Sequence, residues 1–149
     1  MKAVIQRVKW ANLKVDNKLI SEIKQGFVIF LGVGSGDSEN DVEKLSQKIS
    51  KLRVFEDENE KMNLGIKDVD GEILLVSQFT LYADCKHGNR PSFINAEKPD
   101  RANQLYLLMK DKLVDENIAV KTGVFGADMK IEVLNDGPVT IILDSNELK

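Results

Sequence analysis

The stretch Ile73-Leu74-Leu75-Val76-Ser77-Gln78-Phe79-Thr80-Leu81-Tyr82-Ala83-Asp84 constrains this chain more than any other. It opens as an apolar run, which suits a strand buried on both faces. The run turns polar at Ser77-Gln78 and ends in the loop Asp84-Cys85-Lys86-His87-Gly88-Asn89-Arg90-Pro91. A buried strand that delivers hydroxyls and an amide at its end places chemistry on a rigid element. The pattern predicts a central strand over residues 71–81. A second unusual stretch, Asn135-Asp136-Gly137-Pro138-Val139-Thr140, lies far along the chain. The reading is that the two stretches meet and the remainder holds them in place.

The remainder is rich in strand signals. Residues 2–10 read as a strand, and residues 12–15 and 18–24 as a hairpin around Asp16-Asn17. Phe27–Val33 is a buried strand ended by Gly34-Ser35-Gly36-Asp37. Asp37 or Ser38 then caps a helix of about 14 residues whose stripe is Val42, Leu45, Ile49 and Leu52. Arg53-Val54-Phe55 is a short strand before the charged turn Glu56–Lys61. A second helix runs from Pro99 or Asp100 to Asp115, with Ala102, Leu105, Leu108, Met109 and Leu113 on its apolar face. Ile118–Lys121 and Met129–Leu134 read as strands, Asp136-Gly137 as a hairpin turn, and Val139–Leu143 as the return strand. Strands in groups with two helices between them predict an α+β fold, with mixed or antiparallel sheets curled into a barrel-like core.

With 149 residues the chain is expected to form a single domain, residues 1–149. Its longest apolar run, Phe27–Val33, is too short to span a bilayer. The N-terminus has no signal-peptide pattern, and the lone Cys85 forbids an intrachain disulfide. A cytoplasmic protein without membrane association is expected. The net charge of −3 lends nothing to nucleic-acid binding, although a local basic patch can act on an acidic protein.

The familiar catalytic patterns are missing. Cys85 and His87 are single and share a loop, whereas a thiolate–imidazole pair usually converges from distant segments. One His and one Cys cannot supply a zinc site. Gly32-Val33-Gly34-Ser35-Gly36 lacks the spacing of a dinucleotide or phosphate loop and reads as a turn. The acids of Glu56–Glu60 lack calcium-loop spacing. What remains is Ser77-Gln78-Phe79-Thr80, whose backbone amides suit an oxyanion hole where the strand breaks, and Gly137-Pro138, either a hairpin corner or a cis peptide.

Longer motifs run essentially end to end. They include Met1-Lys2-Ala3-Val4-Ile5-Gln6-Arg7-Val8, Leu31-Gly32-Val33, Phe55-Glu56-Asp57 and Lys61-Met62-Asn63. The most specific are Ser77–Asp84, Arg90-Pro91-Ser92-Phe93, Phe125-Gly126-Ala127-Asp128-Met129 and Asn135–Thr140. On these motifs the sequence closely resembles the D-aminoacyl-tRNA deacylases, also called D-tyrosyl-tRNA deacylases.

The resemblance implies a homodimer that hydrolyses the ester between a D-amino acid and the 3′-terminal adenosine of tRNA, a proofreading hydrolase. D-tyrosyl-tRNA would be among its substrates, and achiral glycyl-tRNA could also enter. It implies catalysis by Ser77, Gln78, Phe79 and Thr80, with Gly137 and Pro138 reaching in as a cis peptide from the other subunit. Arg7 would hold that loop, and Phe125 and Met129 would sit near the adenosine or aminoacyl group. No metal and no cofactor is called for, because an activated ester with a vicinal 2′-hydroxyl can be cleaved by positioning and oxyanion stabilisation. The rival readings are a non-catalytic RNA- or protein-binding module and a cysteine hydrolase using Cys85.

Overall fold

The computed structural model describes residues 1–149. Strand β1 (Lys2–Val15) is the hub of the sheet. Along one edge it pairs antiparallel with β8 (Lys130–Asp144). The other edge is shared. β3 (Gly26–Gly32) takes Lys2–Val8, and β2 (Lys18–Ile23) takes Ala11–Val15. The β1–β2 turn is made by Asp16 and Asn17 at φ 50° and 61°. Two successive left-handed residues of these types match the twist of a tight hairpin. β3 pairs parallel with β6 (Glu72–Ser77), which pairs parallel with β7 (Ala119–Thr122).

The mixed sheet nearly closes into a barrel. The Ser21 hydroxyl donates to the Thr122 carbonyl at 2.5 Å, and the Lys121 ammonium to the Glu22 carbonyl at 2.7 Å. These bonds draw β2 toward β7. A separate ribbon is formed by β4 (Arg53–Glu56) and β5 (Met62–Gly65), with the charged turn between them.

Two apolar cores hold the layers together. Helices α1 (Glu39–Lys51) and α2 (Pro99–Asp115) place Val42, Leu45, Ile49, Leu105, Met109 and Leu113 against Ile5, Phe27, Ile29, Leu31, Ile73 and Leu75. The barrel interior collects Val8, Ala11, Leu13, Ile23, Val28, Leu74 and Val76. Successive residues of β6 thus enter opposite cores, as pleating requires. Each of the four side chains Ile73–Val76 is at most 1% exposed, so each contributes roughly 1.5–3 kcal/mol by burial. At the start of α1, Ser38 and Asp41 form a reciprocal capping box, the Ser38 amide donating to the Asp41 carboxylate at 2.8 Å. Pro99 opens α2, where its missing N–H costs nothing. The Met1 amino group lies 2.8 Å from both Asp37 Oδ2 and Ser145 Oγ, and Ser145 Oγ lies 2.8 Å from Asp41 Oδ1.

Four local expectations are corrected. Residues 2–10 and 12–15 are one strand, because the 15-residue β8 supports its whole length. The central strand stops at Ser77 rather than at Leu81, and Phe79–Tyr82 is a 3-10 turn. The neighbouring ladder has run out there, since β3 ends at Gly32. Met62–Gly65 is a strand that the charged flank concealed. Finally, Asp136-Gly137 is no hairpin corner. Both halves of β8 pair with β1, Asn135 opposite Val8 and Thr140 opposite Gln6. One residue of β1, Arg7, therefore faces four residues of β8, which loop out as an enlarged bulge.

Candidate active site

The end of β6 opens into a cavity of about 600 Å³. Ser77, Gln78 and Phe79 form one wall, and Phe125 and Met129 contribute another. Leu31, Val33 and Val76 provide apolar floor, and Phe93 and Tyr106 add rings. A volume within the usual range for small-ligand sites, aromatic walls and a few polar groups at one end suit an amphipathic ligand.

Local geometry explains how β6 gives way to the turn. The Gln78 amide donates to the Leu31 carbonyl at 2.8 Å, the last bond of the β3–β6 register. The chain then folds into the 3-10 turn, and this turn rests on glycines. A Cβ on Gly32 would lie 3.0 Å from the Gln78 carbonyl oxygen and the Leu81 Cβ. One on Gly34 would lie 2.6 Å from the Tyr82 ring. The glycine-rich stretch is thus the floor that lets the turn approach. Tyr82 is held further by the Lys2 ammonium 5.0 Å above its ring and by its hydroxyl, 3.4 Å from Asp37 Oδ2. Burial, then the nearby Asp37 and Asp144 carboxylates, push the Tyr82 phenol upward from its ordinary value.

Within the turn, the Gln78 side-chain amide donates to Thr80 Oγ1 at 2.5 Å. Thr80 is exposed and stands beside the cavity rather than in its lining. Its hydroxyl is paired with an amide and not with a base. The N–H groups of Phe79 and Thr80 open the turn and have no partner inside it. Phe79, 57% exposed, meets Phe93 edge-on with centroids 4.9 Å apart.

The opposite wall is anchored by Tyr106, a buried residue that the helical apolar stripe concealed. Its hydroxyl donates to the Leu75 carbonyl at 2.7 Å, and its ring lies 6.0 Å from Phe125. Burial pushes this phenol up to about 12, so it remains a donor. A buried tyrosine in a helix stripe needs such a partner, and that was the available signal.

Arg7, Gly137 and Pro138 lie elsewhere, at the β8 bulge, and none of them lines this cavity. The two stretches are therefore not brought together there within one chain. Arg7 is 5% exposed. Its guanidinium donates to the Val54 carbonyl at 2.6 Å and the Asp136 carbonyl at 3.1 Å, with the Asp136 carboxylate at 3.5 Å and Glu56 at 3.8 Å. Asn135 closes the bulge from the other side, donating to the Arg7 carbonyl at 3.1 Å and the Val139 carbonyl at 3.0 Å. The Gly137–Pro138 peptide is cis, and both residues are exposed. Cys85 and His87 are exposed in the loop after the turn and do not line the cavity.

Comparison with known proteins gives a consistent result. The family model described as D-Tyr-tRNA(Tyr) deacylase matches residues 4–144. A D-aminoacyl-tRNA deacylase of Aquifex aeolicus is 53% identical over 148 residues, covering 99% of this chain and 100% of the relative. One of Thermotoga petrophila is 51% identical over 148 residues, covering 99% of each. Among solved structures, the c-Myc DNA unwinding element binding protein aligns with a TM-score of 0.90 and 40% identity, over 97% of this chain and 98% of that one. A probable eukaryotic D-amino acid tRNA deacylase shares the fold with a TM-score of 0.81 at 14% identity, over 95% and 97% of the two chains.

Proposed function

Since this chain belongs to the D-Tyr-tRNA(Tyr) deacylase family, we propose that it hydrolyses the ester of D-aminoacyl-tRNA, D-tyrosyl-tRNA among its substrates, releasing free D-amino acid and tRNA. The observation that carries this is the single cavity wall formed by Ser77, Gln78 and Phe79 facing Phe125 and Met129. Aromatic and thioether surfaces suit the terminal adenosine, and the polar end of β6 suits the ester.

The reaction needs little covalent chemistry from the protein. Water's oxygen bonds to the acyl carbon, the bond from that carbon to O3′ breaks, and O3′ takes a proton. The amino acid leaves as a carboxylate. The vicinal 2′-hydroxyl assists by hydrogen bonding at O3′ or to the attacking water. The free N–H groups at the start of the Phe79–Tyr82 turn supply donors for the developing oxyanion. Thr80, bonded to Gln78, positions the substrate and is not a nucleophile, for its hydroxyl has no base beside it.

Specificity is assigned to a second copy of the chain. Gly137 and Pro138 are exposed on the bulge of β8, whose outer edge has no strand partner. Ile142, 72% exposed, continues the same strand. A homodimer that seats each bulge at the other copy's cavity would present main-chain carbonyls to the amino group and Cα. Such a reader ignores the side chain of a D-residue, collides with that of an L-residue, and admits glycine. A cytoplasmic location follows from the tRNA substrate. The test is direct: purified protein should release D-tyrosine from D-tyrosyl-tRNA with many turnovers and should sediment as a dimer. Absence of release would leave only a binding role.

A further inference from the structure

The loop that follows the catalytic turn has a charge pattern that the reaction itself does not use. Residues 85–96, Cys-Lys-His-Gly-Asn-Arg-Pro-Ser-Phe-Ile-Asn-Ala, contain no acid, in a chain with 24 acids and a net charge of −3. Residues 85–90 are all exposed. Gly88 turns the tip at φ +80°, with open space around it. Neither Lys86 nor Arg90 makes a salt bridge, whereas Arg101 and Lys112 on α2 are paired with Glu39 and Glu43 on α1.

The acids at the loop's two roots are occupied by main-chain donors. Asp84 Oδ1 accepts the Lys86 backbone N–H at 3.0 Å and so fixes the loop without touching the ammonium. Glu97 accepts the backbone N–H groups of Lys98 at 2.8 Å and Gly36 at 3.3 Å. The cations are therefore left for an external anion.

The loop is also rooted in the cavity wall. Asp84 and Ser92 exchange both backbone hydrogen bonds, at 2.7 and 2.9 Å, and pinch it shut. On one side of this pinch lies the Phe79–Tyr82 turn; on the other, Phe93 packs on Phe79. Arg90 is two residues from the pinch, a reach of at most roughly 7 Å of chain.

We infer that Lys86 and Arg90 form a phosphate-contact surface for the single-stranded 3′ end of an RNA whose terminal nucleoside occupies the cavity. This inference rests on the proposed function for the cavity's occupant but not for the chemistry. It supplies a local grip that the chain's overall charge does not provide. Contacts of this type act by counterion release, carry no sequence information and weaken with salt.

The test uses the double variant Lys86→Gln, Arg90→Gln beside the unaltered protein, with two readouts. The first is binding of an uncharged acceptor-stem hairpin ending in CCA, followed across KCl concentration. The variant should bind on the order of tenfold more weakly at low salt, with a log–log salt slope shallower by roughly 1.4–1.8, about 0.7–0.9 per lost phosphate contact. An unchanged affinity and slope would overturn the inference. The second is cleavage of 3′-O-D-tyrosyl-adenosine, which has no phosphate. The variant should cleave it as fast as the unaltered protein does; a slower rate on this substrate would also overturn the inference, since the loop would then be shaping the cavity. If the unaltered protein binds the hairpin as described but cleaves neither 3′-O-D-tyrosyl-adenosine nor D-tyrosyl-tRNA, the proposed deacylation fails and the RNA contact stands.

Discussion

At the scale of single residues, two side chains separate catalysis from architecture. Thr80 makes one visible bond, to the Gln78 amide. Removing a bond of this kind costs about 1 kcal/mol, so Thr80→Ala should slow single-turnover deacylation within about tenfold. Loss of all measurable rate would make Thr80 the nucleophile. Arg7 has the opposite character. It is buried, and its guanidinium satisfies the Val54 and Asp136 carbonyls. Arg7→Met keeps the aliphatic stem but orphans those carbonyls and unpins the bulge. A loss on the order of 3 kcal/mol in denaturant unfolding is expected. A stability within 0.5 kcal/mol or so of the parent, the range of ordinary surface changes, would show that the bulge holds itself.

At the scale of elements, the site depends on how β6 ends and on what lies beneath it. Gly34→Ala would put a Cβ where the Tyr82 ring lies. Relief of that overlap should cost about 1–3 kcal/mol and displace the Phe79–Tyr82 turn, so kcat should fall together with the melting temperature. A variant with parental kcat would mean that Tyr82 does not set the turn. The α1 cap gives a pH dependence. Desolvation acts to raise the Asp41 carboxyl, but the Ser38 amide, the Ser145 and Ser38 hydroxyls and the N-terminal ammonium outweigh it, leaving the group below its ordinary 3.8. A depressed folded-state value stabilises above the ordinary one, and that stabilisation is lost as pH falls through the folded one. Acid unfolding should therefore draw on Asp41 from about pH 4 downward, and Asp41→Asn should flatten that limb of the stability curve. An unchanged acid limb would contradict the cap.

These same elements show what the sequence could reveal. The four apolar residues Ile73–Val76 announced a strand buried on both faces, and the stripes of α1 and α2 announced the helices and their faces. The bulge in β8 was hidden because Asp136-Gly137 is a turn signal wherever it occurs. Only the length of β1 decides that both halves pair with the same strand. The role of Gly32 and Gly34 was hidden for a related reason: a glycine needed for close approach looks like one needed for a turn until its neighbour, here Tyr82, is placed. Ser77, Gln78, Phe79, Phe125 and Met129, which line one cavity, were singled out through family motifs, since no His, Cys or paired acids marked them. Tyr106 was passed over: the stripe Ala102, Leu105, Leu108, Met109 and Leu113 accounts for the helix without it, although the residue is buried.

At the scale of the whole molecule, the proposed work is divided between two parts. The cavity at the end of β6 is proposed to bind the terminal nucleoside and ester, and the exposed Gly137-Pro138 bulge of a second copy to judge chirality. The bulge is set by β1, which carries Arg7 against it and pairs with the strand that delivers it. The most direct measurement is deacylation of D-tyrosyl-tRNA and L-tyrosyl-tRNA side by side, at enzyme concentrations well below substrate. Rapid loss of the D-ester is expected while the L-ester decays at its spontaneous rate. Equal loss of both esters would contradict it, because a main-chain gate cannot be passed by both hands.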